Sequence, residues 1–308
     1  MTSEDMQAPG TGQNQTVDIS IIIPSYNRGP RARETVEKCL RLRPGPREIV
    51  LVDDHSDAES GQILRSLDGG IVKYIRMAEN GGQAAARSVG FATGKGKHLV
   101  SLDDDSWFLD EDALQRVWDR MEALGKCGIL AFSAFSPGVP VQPSLNRLTL
   151  VSDHITCGAA YRAEVLRKTG YHLPFLRYVG EESDLSLKVI DAGFDLVLDS
   201  SIRVFHDYHP AGRSKKSLAR GRRFGVRNDL LRPWIYFPLD LALKVTVWRA
   251  ASHLVFALRH GRLGATLRGC LEFTLCFPRA LLHRHSIDRE AALKYLRLRR
   301  RPEPLINR

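Results

Sequence analysis

Cysteine is scarce in this 308-residue chain and carries no pattern: Cys39, Cys127, Cys157, Cys270 and Cys276 include no CxxC pair and no histidine at zinc-ligand spacing. A disulfide framework or structural zinc site is therefore not expected, and a reducing cytoplasm suits the chain. No GxGxxG follows an apolar run and no GxxxxGK[ST] occurs, so the usual backbone cradles for nucleotide phosphates are missing. That makes a metal ion the expected partner of any phosphate. The opening MTSEDMQAPGTGQNQTVD has neither a basic start nor an apolar core. No signal peptide is expected, and 1–17 reads as a disordered leader. No window reaches eighteen uninterrupted apolar residues, so a transmembrane helix is not expected either.

Acidic residues are lacking in one half only. Residues 201–308 hold 7 Asp/Glu against 23 Lys/Arg, whereas 1–200 hold 28 against 22, within a net charge of +10. An acidic front and a basic rear point to two different partners, a cation in front and a polyanionic surface behind. Nucleic acid is one such surface and an anionic membrane leaflet the other.

What is present is organised around KGKHLVSLDDDSWF, where an apolar run, Leu99, Val100 and Leu102, stops on Asp103, Asp104 and Asp105. This reads as a buried strand ending at a charged site. Strand alternation sends Asp103 and Asp105 to one side and Asp104 to the other. Three like charges are costly together unless a cation neutralises them, and oxygen ligands at this density suit magnesium or manganese. The alternative is a solvated acidic turn capping the next helix.

Upstream, ISIIIPSYNR is a continuous β-branched run closed by Pro24, the pattern of a central parallel strand. A helix is expected over about 31–43. EIVLVDDHSDAES then repeats the grammar of strand followed by carboxylates, with Asp53 and Asp54 next to Ser56. A helix to about 67, a strand at 71–75, the turn ENGGQ and a helix over AAARSVGFATG lead to the Asp103 strand. Strands alternating with helices predict a doubly wound, mostly parallel α/β sheet, in which ligands bind beyond the carboxyl ends of the strands. Tyr26, Asn27, Asp53, Asp54, Asp103 and Asp105 sit there by this reading. Asp53 and Asp54 read equally as a turn with an N-cap at Ser56.

The blocks SIIIPSYNR, VLVDDHSDAES, NGGQAAARSVGFATGKGKHLVSLDDD, GAAYRAEVLRKTGY, GEESDLSLKVIDAGFDLVLDSSIRVFH and RN, in this order, resemble those of family 2 inverting glycosyltransferases with the GT-A fold. The resemblance covers about 17–232. It implies a GT-A catalytic domain over 18–232, with 18–105 binding the nucleotide sugar and 106–232 the acceptor, and a helical extension over 233–308. It implies Mn2+ or Mg2+ as cofactor and a UDP-, dTDP- or GDP-linked sugar as donor. The acceptor would be a hydroxyl on a glycan, a lipid-linked intermediate or a small molecule. Pro24, Tyr26, Asn27, Asp53 or Asp54, Asn80, Arg87, Asp103 and Asp104 match donor-nucleotide positions. Asp105, Asp103 and His206 match metal ligands, with His209 as the fallback for the histidine. Cys157, Gly158 and Ala159 match the acceptor side, their alternative being a buried strand end.

GEESDLSLKVIDAG departs from the Glu-Asp usual in the block that supplies the base. Aligned on Asp184-Leu185, Glu182 takes the base position, and Glu181 and Asp184 are the other candidates. An inverting transfer needs one such carboxylate to accept the proton of the attacking hydroxyl. Acidic residues at that helix start also suit the helix dipole without any further role. Of the basic residues in GRSKKSLARGRRFGVRN, Arg213 to Arg227, one or two would reach a diphosphate and the rest be solvated or at a membrane surface.

From Trp234 onward the helices are apolar with a cationic stripe, Lys244, Arg249, Ser252, His253 and Arg259, followed by Arg268, Glu272, Arg279 and His283. Basic amphipathic helices of this kind suit a bilayer interface. The expected arrangement is peripheral attachment through 233–308 at the cytoplasmic face of an anionic membrane. Packing on the catalytic domain or on a second copy in a homodimer is the alternative. Nucleic-acid binding is disfavoured, because the basic segments contain few interleaved aromatics and no nucleic-acid motif. A degenerate transferase kept as a scaffold is a third reading; the intact Asp103 to Asp105 triplet argues against it, while Glu182 in place of aspartate keeps it open.

Overall fold

The β-branched run forms β1 (Thr16–Ser25), which starts two residues inside the stretch expected to be a leader. β2 (Gly45–Asp53) and β3 (Val72–Arg76) lie parallel to it on one side and β4 (His98–Ser101) lies parallel on the other. Parallel neighbours require crossovers, supplied by α1 (Gly29–Leu40), α2 (Ala58–Arg65) and α3 (Gln83–Thr93). The computed structural model describes residues 16–138, 140, 147–176, 178–208 and 214–305. His209 and Arg213, named from the sequence, lie outside these residues, as does most of the expected leader.

Alternation along β1 divides the core between the two faces of the sheet. Ile19, Ile21 and Ile23 pack with Ala32 and Val36 of α1, whereas Ile22 packs with Ala86 and Phe91 of α3. A Cβ at Gly90 of α3 would collide with Ile22 Cγ2, so the closeness of α3 to β1 depends on that glycine.

The rest of the sheet is mixed. After β5 (Ser106–Phe108), α4 (Ala113–Ala123), β6 (Cys127–Phe135) and β7 (Leu148–Leu150) come β8 (Ala159–Arg162), α5 (Ala163–Thr169), α6 (Glu182–Asp191) and β9 (Asp195–His206). β8 runs antiparallel between β4 and β6; β6 and β9 are parallel; β5 and β7 are antiparallel to β9. The doubly wound parallel pattern therefore belongs to the first four strands. The chain runs outward from β1 to β3 and returns to β4 on the other side of β1, which opens a crevice at the carboxyl ends of β1 and β4.

α7 (Lys215–Tyr236), α8 (Leu239–Arg259), α9 (Leu263–Leu282) and α10 (Arg289–Arg300) follow, and a short β10 (Glu303–Pro304) pairs with β7. Position 232 lies within α7, whose Leu231 and Ile235 share one core with Ala292 and Tyr295 of α10 and with Ile22 of β1. α8 is turned the opposite way from an ordinary surface helix. Its Arg249 and His253 face inward to Asp229 of α7, at 2.9 and 3.1 Å, while Leu243, Val247, Trp248, Leu254 and Leu258 are exposed. By length and composition α8 is long and apolar enough to cross a membrane. Lys244 and Arg249 interrupt its apolar residues, so it contains no uninterrupted apolar run of eighteen.

Candidate active site

The crevice is a cavity of about 700 Å³. Pro24 and Tyr26 from the end of β1, Asp54 from the end of β2, Asn80, and Asp103, Asp104, Asp105 and His206 all line it. β4 ends at Ser101, so the acidic triplet lies in the turn between β4 and β5, and the turn and not strand alternation sets its directions. Asp104 turns to β1, where the Ser25 hydroxyl donates to its Oδ2 at 2.9 Å. Asp103 and Asp105 turn to His206, whose Nε2 lies 3.7 Å from Asp103 Oδ2 and 3.2 Å from Asp105 Oδ1. Strand pairing brings them together: β5 lies antiparallel to the end of β9, with Ser106 opposite His206. The Asp207 amide donates to the Asp105 carbonyl at 2.8 Å, and the Ser106 hydroxyl accepts from the Asp103 amide at 2.7 Å.

Arg28, which sequence reasoning passed over, bridges two of the triplet at 2.8 Å to Asp104 and 2.6 Å to Asp105. Its signal was its place in PSYNR, in the loop that leaves β1. Burial pushes the Asp104 carboxyl up to about 7 against the opposing charge of Arg28. For Asp105 burial also acts upward, but His206 and Arg28 outweigh it and hold the carboxyl below its ordinary value. Burial would lower the His206 imidazole; Asp105 and Asp103 reverse that and raise it.

The ligand atoms of Asp103, Cys157 and His206 all lie within 4.8 Å of one another, with Asp105 beside His206. Burial pushes the Cys157 thiol well up, so it stays protonated near neutral pH. The remaining donors, two carboxylates and an imidazole, fit a hard or borderline divalent ion such as manganese or magnesium. Arg87, matched from the sequence to the donor nucleotide, is fully buried behind Asp103 instead. Its Nη2 lies 2.5 Å from Asp103 Oδ1 and its Nε donates to Ser101 Oγ at 2.8 Å, so it holds the carboxylate in place. Its Nη1 is buried without a hydrogen-bond partner among the described residues.

The two carboxylates after β2 part company. Asp53 is fully buried and accepts from Tyr74 Oη at 2.8 Å, from Arg76 at 2.6 Å and from the Ser56 amide at 2.8 Å. It organises the turn and does not face the cavity. Asp54 does face it, and its oxygens accept from Asn80 Nδ2 at 3.0 Å and from the Gly81 and Gly82 amides at 2.8 and 2.9 Å. The helix cap expected at Ser56 is one residue later, at Asp57. Asn27, at φ 55°, accepts from the Asp57 amide at 2.7 Å through Oδ1, so its side chain ties two loops together.

Cys157, Gly158 and Ala159 form the buried strand end that was the alternative to an acceptor wall. Ala159 is the first residue of β8 and is fully buried, and the Ser106 hydroxyl donates to the Cys157 carbonyl at 2.9 Å. The Cys157 thiol lies within 4.8 Å of ligand atoms of Asp103 and His206.

The second acidic cluster enters α6 from a strained turn. Val179 and Gly180 have φ of 63° and 88°. Asn228 of α7, fully buried, donates to the Tyr178 and Val179 carbonyls at 3.0 and 2.8 Å and so pins that turn. Glu181 is buried, its Oε2 lacks a partner among the described residues, and burial raises it. Burial, and then the neighbouring Glu181, push Glu182 up to about 8. The charge of Glu182 reaches Cys157, which adjoins Asp103 and His206. Asp184 is removed from the candidates for the base: it is fully buried, accepts from the Leu173 amide at 2.7 Å and Lys188 Nζ at 3.1 Å, and receives the Tyr236 hydroxyl. Its place one turn into α6 points it into the core. Of the basic residues early in α7, Arg220 lines the cavity, its guanidinium 5.1 Å from the Tyr178 ring centre.

Residues 20–170 match the sequence model of the family described as Glycosyl transferase family 2. The chain is 29% identical over 106 residues to glycosyltransferase GlyG of Streptococcus pneumoniae, covering 34% of this chain and 35% of that protein. It is 27% identical over 106 residues to poly(ribitol-phosphate) beta-N-acetylglucosaminyltransferase TarP of Staphylococcus aureus, covering 33% and 32%. The chain thus spans about a third of the length of these curated relatives. Among solved structures, Staphylococcus aureus TarS 1-349 in complex with UDP-GlcNAc superposes with a TM-score of 0.58 at 16% identity, covering 86% of this chain and 83% of that one. Mannosyltransferase PcManGT from Pyrobaculum calidifontis, in complex with GDP-Man and Mn2+, gives 0.56 at 16% identity, covering 91% and 87%. Such likeness shows a shared GT-A fold.

Proposed function

This chain belongs to glycosyl transferase family 2 through residues 20–170, and from that premise we propose that it transfers a sugar, with inversion, from a nucleoside diphosphate donor to an acceptor hydroxyl. The observation that carries the reading is the convergence of Asp103, Asp105 and His206 at the crevice between β1 and β4, together with a buried carboxylate pair of raised pKa, Glu181 and Glu182, whose charge acts on Cys157 next to Asp103. Two structural neighbours are described as complexes with a nucleotide sugar, one of them with Mn2+, which supports the same donor class here.

The nucleoside rests in the half of the crevice walled by Pro24, Tyr26, Asp54 and Asn80. Asp105, Asp103 and His206 would hold the divalent ion, which would supply positive charge against the departing diphosphate. Arg220 adds a second cation at the same cavity. Glu182 accepts the proton of the acceptor hydroxyl as that oxygen attacks the anomeric carbon, and a single displacement inverts the centre. Glu182 suits this role because its raised pKa makes it a stronger base than an ordinary carboxylate. Glu181, the alternative base, is more deeply enclosed. Asp229 draws the polar side of α8 inward and leaves its apolar side exposed, beside an excess of basic residues, which supports attachment to an anionic membrane surface at the cytoplasmic face.

The test is donor turnover. Purified protein with manganese is offered a panel of UDP-, dTDP- and GDP-sugars and assayed for nucleoside diphosphate release. Release from one donor that chelator, Asp105→Ala and Glu182→Gln each abolish supports the reading. No release from and no binding of any donor would sink it.

A further inference from the structure

A second cavity, larger than the donor crevice, lies elsewhere in the molecule. It measures about 1340 Å³, opens between α6, α8 and α10, and shares no lining residue with the crevice. Its composition is unusual for a solvent-filled groove. The apolar part is Leu241 and Val245 of α8 and Leu296 of α10, continued outward by the exposed side chains of Trp248 and Leu293. Seven Lys/Arg and three Asp/Glu line the remainder.

Most of those charges are already satisfied. Arg249 pairs with Asp229 at 2.9 Å, Lys294 with Asp195 at 2.6 Å, Arg297 with Glu303 at 3.0 Å and Arg299 with Asp153 at 3.3 Å. Asp288 caps α10 through the Glu290 amide at 2.7 Å, and its own amide donates to Asp191 at 2.7 Å. Lys244, Arg300 and Arg301 are left among the cations and Glu290 among the acids: all four are exposed, line the cavity, and have no ion pair among the described residues, an excess of two positive charges. An apolar floor that runs out onto an exposed apolar helix face, under three unpaired cations, matches an anion attached to a hydrocarbon chain. A free phosphate has no use for the floor, and nucleic acid has none for the exposed leucines.

We propose that the cleft between α8 and α10 binds one anionic phospholipid, its phosphate at Lys244, Arg300 and Arg301 and its acyl chain along Leu241, Val245 and Trp248. The inference deepens the membrane-surface reading and rests on it. It adds selectivity for the headgroup at a stated place.

The experiment uses the full chain and vesicles of phosphatidylcholine, alone or mixed with phosphatidylglycerol, with binding followed by co-sedimentation and by quenching of tryptophan fluorescence with brominated acyl chains. The expected result is tighter binding to the mixed vesicles, weakened on the order of tenfold or more by Lys244→Glu with Arg300→Glu. The control Lys215→Glu with Lys216→Glu, which reverses two exposed charges of α7 outside the cleft, is expected to weaken it far less. Quenching is expected to vanish in Trp248→Phe, which keeps the cleft filled and checks the site without altering charge. Equal loss from the two charge reversals would show general electrostatic attraction and overturn the proposal while leaving the membrane reading intact. Quenching that survives Trp248→Phe, full competition by glycerol 3-phosphate, or a lipid-independent dimer that buries Trp248 would each overturn it as well. Binding to no vesicle at all would sink both readings, and donor turnover in solution remains an independent check on the transferase assignment.

Discussion

Glu182 combines two properties that ordinary carboxylates do not share: it is pushed up to about 8 by burial and by Glu181, and it stands at the start of α6, near enough to Cys157 for its charge to act on that thiol. As a base it acts only when ionised, so turnover is expected to climb with pH up to about 8 and level off above, measured as initial rate of nucleoside diphosphate release. The same shift has a stability consequence of opposite direction. Between its ordinary 4.5 and about 8 the folded chain binds more protons at this site than the unfolded chain, so the contribution is present at low pH and is lost as pH rises through that window. Glu182→Gln is therefore expected to reduce turnover by roughly 10²–10⁴-fold. Above pH 8 it is expected to melt higher than the parent by thermal denaturation. A variant that lost activity and melted lower would show that Glu182 is a structural partner and not a base.

At the scale of the element, the turn before α6 depends on two residues from different parts of the chain. Gly180 has φ 88°, a left-handed conformation in which a side chain is strained, and a Cβ there would come 2.7 Å from Arg232 Nη2. Asn228, 48 positions further on, supplies the two hydrogen bonds that hold the turn closed. Removing them in Asn228→Ala leaves two carbonyls unpaired at a cost of about 1–3 kcal/mol. Because Tyr178 lines the crevice and Glu182 follows the turn, the expected signature is a fall in kcat with nucleoside diphosphate affinity nearly unchanged. Gly180→Ala is expected to lower Tm as well. Equal losses of kcat and of nucleotide affinity would place the defect at the donor half instead.

At the scale of the whole molecule, Asp229 is the point where the rear helices join. Burial acts to raise its carboxyl, but His253, Arg232, Arg249 and Arg299 outweigh that and hold it far below its ordinary value. The stabilisation is present above the ordinary 3.8 and is lost as pH falls through the depressed folded value, so α8 and α10 are expected to come away from α7 only in strong acid. Asp229→Ala leaves those cations facing one another without their anion, and the expected cost is about 3–5 kcal/mol, read as a large drop in Tm. A Tm within a degree or two of the parent would show that apolar contacts alone hold these helices.

The order of strands and helices in the front half and the clustering of acidic residues beyond the carboxyl ends of β1 and β4 were readable from the sequence, whereas the directions of Asp103, Asp104 and Asp105 were not, because β4 ends at Ser101 and a turn carries all three. The readable features follow from local periodicity and chain direction, which need no partner. Which of Asp53 and Asp54 faces the crevice was not readable, because both are acidic and adjacent and only the positions of Tyr74, Arg76 and Asn80 decide between them. The burial of Arg87, the loss of Asp184 to Tyr236 and the grip of Arg28 on the triplet likewise depend on residues 16–77 positions away. Helical periodicity showed that α8 has a polar stripe and an apolar face but not which one turns inward. One buried carboxylate on α7, Asp229, settled that, because an ion pair with Arg249 is available only on that side.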